Sequence, residues 1–81
     1  MTEAKLSLIW ANKPGCRLCV AELWIGRDQL WLTIFVDDND GKLKLELLPP
    51  LHQTASYLLD FTEAEHLIEK AKGDLLAMLG G

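Results

Sequence analysis

Residues 30–48 read LWLTIFV, then DDNDG, then KLKLELL, and this stretch decides the fold. Two segments with alternating side chains are joined by turn-forming residues that end in Asn-Asp-Gly, which predicts a β-hairpin. In the second segment lysine and glutamate alternate with leucine, so this strand has one polar face and one apolar face. The first segment is apolar on both faces. A strand of that kind needs cover on both sides of its sheet.

The chain is a small acidic protein of 81 residues, 49% hydrophobic and 25% charged, which is typical of a single globular domain spanning residues 1–81. Twelve acidic and eight basic side chains give a net charge of −4. Because the basic residues are spread along the chain, we expect no binding to nucleic acid. No apolar run approaches the ~20 residues of a membrane span and no signal sequence is recognisable, so we expect a cytoplasmic protein that binds no membrane.

Two further strands are predicted before this hairpin. Residues 6–10 alternate until a turn at residues 12–15, where proline fixes one dihedral angle and glycine permits a positive one. Residues 18–25 are rich in β-favouring types and predict the second strand. A short helix over residues 16–25 is the competing prediction, although its last residues are weak helix formers.

The C-terminal part of the chain predicts a helix. Two prolines at residues 49–50 end the fourth strand because they cannot donate ladder hydrogen bonds, and residues 56–61 are a candidate fifth strand. Thr62 and Glu65 then match a capping box, and the apolar residues after it recur at helical spacing. Gly73 lies within this helix and marks the point where it can kink or fray.

Together these patterns predict an α+β fold, a four- or five-stranded, mostly antiparallel β-meander with one C-terminal α-helix. A helix is about 10 Å wide, whereas five strands form a sheet about 20 Å across. One helix therefore leaves part of the sheet uncovered. We expect either that the sheet curls into a barrel or that a second molecule covers the remaining face.

Aromatic residues supply the candidate interaction surface. If the even-numbered residues of the third strand face the helix, Trp31, Thr33 and Phe35 lie on the opposite face, where two sheets can pack around a two-fold axis. Replacing Phe35 with aspartate should then release folded monomers, because a lone carboxylate is not stable in a dry interface. Trp10 and Trp24 complete the candidate set, although aromatic residues in a small domain more often form the core.

The sequence Cys-Arg-Leu-Cys at residues 16–19 is a recognisable short motif. A predicted strand and Lys-Pro-Gly at residues 13–15 precede it, and over about a dozen residues it resembles the active-site start of glutaredoxin-like proteins. The resemblance implies a helix that begins at the motif, a thiolate at Cys16 stabilised by the helix dipole, and Cys19 as the resolving thiol. Beyond the motif the pattern departs from that family, because residues 20–25 leave little room for a first helix.

We predict no metal site, no cofactor and no catalytic residue. His52 and His66 lack the close spacing that tetrahedral zinc sites use for their second pair of ligands. In a calcium-loop alignment of residues 37–41, the first and last ligand positions would be Val36 and Leu47, which cannot bind the ion. No serine, cysteine or carboxylate has a sequence neighbour that argues for its activation.

No motif in the chain requires a particular chemistry. The surplus apolar surface of the sheet favours a small, non-enzymatic protein-binding module, an inhibitor, adaptor or regulator, that acts as a homodimer and binds an unidentified protein. The alternative is a glutaredoxin-like thiol redox protein that uses Cys16 and Cys19. The two hypotheses differ in structure, because only the redox protein requires a helix that begins at Cys16.

Overall fold

Four strands and one helix form the part of the chain that the computed structural model describes, residues 3–49 and 57–80. The strands pair antiparallel in chain order, and the elements are β1 (Leu6–Ala11), β2 (Val20–Ile25), β3 (Gln29–Val36), β4 (Leu43–Leu47) and α1 (Phe61–Gly80). The predicted α+β fold, an antiparallel meander followed by a helix, is confirmed. The sheet is open with β1 and β4 at its edges, so the barrel alternative is wrong.

The core lies between α1 and one face of the sheet. Helix α1 packs across β1 and β3, and Leu8 and Trp10 of β1 contact the edge of the core. Alternation along the strands brings every second side chain to this face. The core residues, each 4% exposed or less, are Ala21, Leu23, Leu32, Ile34, Val36, Ala71 and Leu75.

A β-bulge interrupts the pairing of β2 with β3. Leu23 lies opposite Leu32, but the next residue of β2, Trp24, lies opposite Leu30. Trp31 is therefore an extra residue in the ladder. A bulge of this type breaks the strict alternation of side chains and increases the local twist.

The bulge changes which side chains share a face of the sheet. Trp31 turns toward α1, where it packs against the core and lines a cavity with Phe61 and Ile68. Leu30 turns the other way and lines a cavity with Thr33. The expectation that Trp31 shares a face with Thr33 is therefore wrong, because it assumed a regular strand.

Helix α1 begins earlier than the capping box predicted. Asp60 Oδ2 accepts a hydrogen bond from Glu63 N at 2.8 Å, which makes Asp60 the N-cap. Glu63 Oε1 accepts a hydrogen bond from Leu6 N at 3.2 Å and joins the helix start to β1. The predicted cap at Thr62 is wrong, because aspartate caps a helix at least as well as threonine and also has a glutamate three residues later.

Helix α1 continues through Gly73 to Gly80. Ala71 and Leu75 lie on either side of Gly73 in sequence and are fully buried. Their packing offsets the roughly 1 kcal/mol by which glycine weakens a helix, so the predicted kink point does not end the helix. Among the described residues, α1 included, no helix combines the length and apolar character that crossing a membrane requires.

The candidate fifth strand at residues 56–61 does not form as predicted. Within its described part, Leu58 makes one isolated parallel bridge to Glu3, and Ala4 N donates to Leu58 O at 2.8 Å. Phe61 already belongs to α1. Pro50 and the start of this segment lie outside the described residues.

Candidate functional site

The sheet face away from α1, named the open face, carries a row of side chains that crosses all four strands. Ile9, Glu22, Thr33 and Glu46 lie opposite one another in successive strands. Directly opposite residues of an antiparallel pair point to the same face of the sheet. The pairing therefore brings one carboxylate to each side of the threonine.

The loop between β1 and β2 folds over part of the open face. Lys13 Nζ lies 4.8 Å from the centre of the Phe35 ring and 4.0 Å from Glu46 Oε1. Further along the loop, Arg17 N donates a hydrogen bond to Asp38 Oδ2 at 3.1 Å. These contacts fix the loop to β3, to β4 and to the turn between them.

A cavity of about 240 Å³, named the Thr33 cavity, remains between this loop and the open face. Thr33 is only 7% exposed, although it points away from α1. The cavity combines aliphatic and polar groups. Its lining residues are Ala11, Asn12, Lys13, Pro14, Val20, Glu22, Leu30, Thr33, Glu46 and Leu48.

The hydroxyl of Thr33 is the unusual group in this cavity. Thr33 Oγ1 is buried and has no hydrogen-bond partner among the described residues. A buried hydroxyl without a partner costs about 1–3 kcal/mol, and native structures rarely retain one without a reason.

The neighbouring carboxylate of Glu22 is held in place by an indole. Trp24 Nε1 donates a hydrogen bond to Glu22 Oε1 at 3.2 Å. Since an ionised carboxylate has about four acceptor sites, one donor leaves it with capacity for others. With Glu46 on the other side of Thr33, the cavity is rich in hydrogen-bond acceptors and suits a cationic donor.

The predicted interaction residues divide between the two faces of the sheet. Trp10 and Trp31 pack against the core under α1. Thr33, Phe35 and Trp24 lie on the open face, opposite Glu46, Lys44 and Ser7 respectively. Among the aromatic candidates, Phe35 and Trp24 therefore lie on the open face, and their role in an interaction stays a prediction.

Sequence reasoning did not single out Glu22, Glu46 or Lys13 as site residues. Glu22 did carry a signal, since it is a charged residue in the middle of an otherwise apolar strand. Glu46 belongs to the alternating polar face of β4, which is typical of a solvated surface. Lys13 carried no signal, because its role depends on how the loop folds.

The two cysteines lie in the loop before β2. Cys16 N donates a hydrogen bond to Lys13 O at 3.1 Å, and the Cys19 thiol donates to Asn12 Oδ1 at 3.7 Å. Strand β2 begins at Val20, so the competing prediction of a helix over residues 16–25 is wrong. Without that helix, no helix dipole acts on the Cys16 thiol. Both cysteines are free thiols.

The acidic residues at the β3–β4 turn bind a lysine of their own chain. Lys44 Nζ lies 2.7 Å from Asp37 Oδ2 and 3.0 Å from Asp40 Oδ2. The hydrogen bond from Lys44, followed by that from Asn39 N, lowers the pKa of Asp37. Lys42 N, followed by Lys44, lowers the pKa of Asp40, and both carboxylates raise the pKa of Lys44. These groups form a solvated hairpin tip, as the sequence predicted, and the structure adds a local ion pair that was not predicted.

Within residues 3–49 and 57–80, no three histidine, cysteine or acidic side chains form a group that could hold a metal ion. His66 is exposed on α1, and His52 lies outside the described residues.

Comparisons of the chain with models of protein families, with curated proteins and with solved structures gave no match. Inference of a function therefore depends on the geometry of the open face and the Thr33 cavity.

Proposed function

We propose that the protein is a small, non-enzymatic protein-binding module, an inhibitor, adaptor or regulator, that acts as a homodimer. Its Thr33 cavity binds a lysine or arginine side chain of a partner protein. The observation that carries this proposal is a cavity lined by Glu22 and Glu46 on the strands either side of Thr33, whose buried hydroxyl has no hydrogen-bond partner among the described residues.

The chemistry of the cavity favours a basic side chain. Ammonium and guanidinium groups are donors only, and Glu22 and Glu46 supply acceptor oxygens in the cavity lining, while the Thr33 hydroxyl lies buried beneath it. The aliphatic part of the lining, such as Val20 and Leu30, matches the apolar stem of a lysine or arginine. The volume of about 240 Å³ is below the ~300 Å³ at which small-molecule pockets begin. A single side chain therefore fits better than a cofactor.

The charge of the site supports a cationic partner. The ion pair between Lys13 and Glu46 spans 4.0 Å, and its side chains are 44% and 54% exposed. Pairs of this kind contribute little to stability, so an incoming cation can replace Lys13 beside Glu46. The net charge of −4 also attracts a basic segment over longer distances at low ionic strength.

The proposal assigns the module to the cytoplasm. Its support is that Cys16 and Cys19 are free thiols, which are typical of that compartment. No observation among the described residues favours the redox alternative, because the loop and β2 occupy the place of the helix that it requires.

A nuclear magnetic resonance titration tests the proposal. The probe is N-acetyl-arginine methylamide, and the corresponding citrulline compound is its neutral control. We expect the arginine compound, but not the citrulline compound, to shift the backbone amide resonances of Glu22, Thr33 and Glu46. Thr33→Val and Glu22→Gln should abolish these shifts, whereas Glu69→Gln on α1 removes one negative charge and should keep them. Equal shifts with both compounds, or none at these residues, would contradict the proposal.

A further inference from the structure

Strand β4 is an exposed edge of the sheet. Leu45 and Leu47 point to the same face as α1 because they lie opposite the core residues Ile34 and Leu32. They are nevertheless 48% and 66% exposed, since α1 packs over β1 and β3. A regular edge strand with exposed apolar side chains is a ready template for pairing with another strand.

Two hydrogen bonds to β3 fix which backbone groups of β4 point outward. Asp37 N donates to Lys42 O at 2.9 Å, and Leu48 N donates to Trp31 O at 3.0 Å. Along an antiparallel strand, residues bonded to one neighbour alternate with residues that point away from it. The even-numbered residues of β4 therefore bond to β3. The residues with backbone groups at the free edge are Leu43, Leu45 and Leu47.

We propose that β4 pairs antiparallel with β4 of a second copy of this chain, around a two-fold axis at Leu45. In this register Leu45 lies opposite itself, and Leu43 lies opposite Leu47 of the partner subunit. Lys44 lies opposite Glu46 of the partner subunit. Within its own chain Lys44 also pairs with Asp37 and Asp40, and Glu46 pairs with Lys13, but these are exposed pairs that contribute little to stability and can exchange partners. The leucines of both copies meet on the face of α1, and opposite charges meet on the open face.

Neighbouring registers lack this complementarity. A shift of two residues centres the pairing on Lys44 or Glu46 and places a charge opposite the same charge, about 5 Å away. A shift of one residue places the outward-pointing backbone groups of one β4 opposite groups of the other β4 that already bond to β3. It also places leucines opposite charged side chains. The register centred on Leu45 satisfies the backbone, the leucines and the charges together.

This inference rests on the homodimer of the proposed function and names its interface, and it shares only Glu46 with the lining of the Thr33 cavity. It also differs from a dimer in which two open faces pack around Phe35. Because the two-fold axis is perpendicular to the sheet, pairing through β4 gives one continuous sheet with both α1 helices on one face. Both Thr33 cavities then lie on the other face.

Charge reversal tests the register by analytical ultracentrifugation. Lys44→Glu and Glu46→Lys each place like charges opposite each other in the homodimer, so each variant should dimerise at least about tenfold more weakly than the parent. Mixed in equal amounts, the two variants should form a heterodimer as stable as the parent dimer, because every opposed pair again carries opposite charges. A double variant with both substitutions should recover the homodimer.

The controls separate pairing through β4 from a general loss of structure and from pairing through the open face. Lys72→Glu makes the same charge reversal on the exposed surface of α1 and should leave dimerisation unchanged. Circular dichroism checks that each variant folds, and recovery in the double variant excludes misfolding as the cause of weaker dimerisation. If charge reversal at Lys44 or Glu46 leaves dimerisation unchanged but the Phe35→Asp variant is monomeric, pairing through β4 is wrong. A monomeric parent overturns the homodimer as well, while the arginine titration at Thr33 tests the cavity separately.

Discussion

On the face that α1 covers, Leu23, Leu32 and Leu75 are buried among apolar neighbours. On the open face, a loop buries Thr33, whose hydroxyl has no hydrogen-bond partner within residues 3–49 and 57–80. The core cluster of the covered face is apolar, so its buried side chains carry no polar group for a ligand to satisfy. The open face combines burial with polar atoms, which lowers stability and provides binding capacity. Burial alone therefore does not distinguish the two faces, but an unsatisfied polar atom among the buried groups does.

The largest expected change in the free energy of unfolding comes from a substitution in the core beneath α1. Leu75→Ala removes a fully buried side chain and should lower the free energy of unfolding by about 2–5 kcal/mol. Leu76→Ala is the matched control on the same helix, and because Leu76 is exposed we expect a change within about 0.5 kcal/mol. Urea denaturation measures both. Equal losses in the two variants would show that α1 does not dock through Leu75.

A smaller effect of the opposite sign should occur on the open face. Thr33→Val replaces the unpaired hydroxyl by a methyl group of similar size and should raise the free energy of unfolding by about 1 kcal/mol. Thr33→Ser keeps the hydroxyl and should give no gain. Denaturation in urea measures both variants. If valine destabilises the protein, the hydroxyl has a partner in the folded chain, and the main argument for the cavity is lost.

The smallest effect is expected in the pH dependence of stability. It arises from the ion pair at the hairpin tip, which is buried on neither face of the sheet. Asp37 and Asp40 have folded-state pKa values below the usual 3.8, so the stability from their pairing is complete above that pH and declines as the pH falls through the folded values. Melting temperatures between about pH 5 and pH 2 should therefore fall less steeply for Lys44→Gln than for the parent. Lys42→Gln removes a neighbouring positive charge and should keep the parental slope.

The elements with a strong local pattern were predictable from the sequence. Alternation and the Asp-Gly turn predicted the β3–β4 hairpin, and an apolar stripe predicted α1. The bulge at Trp31 was not predictable, because a bulge is a property of two paired strands and leaves no mark on the alternation of one. The helix start was misplaced because two capping patterns overlap, and Asp60 prevails over Thr62 in the folded chain.

The candidate site was less predictable than the fold. Thr33 was predicted to be an interaction residue, but as a member of an apolar patch rather than as an unpaired hydroxyl. Glu22 and Glu46 come from different strands, and only the register of the sheet places them on either side of Thr33. The cavity itself exists because a loop carrying Lys13 folds over the open face, which is a long-range contact that no local pattern records.

The hydrogen bond from Leu6 N to Glu63 Oε1 has a consequence for the order of folding during synthesis. Strands β1 to β4 each pair with their neighbour in sequence and are complete once Leu47 has emerged from the ribosome. Residues 48–80, which include α1, must follow, and at typical translation rates the synthesis of these 33 residues takes about 2–7 s. During that interval the leucines of the sheet face water, so the nascent chain passes through a stage open to aggregation or chaperone binding. Contact of the helix start with β1 ends that stage.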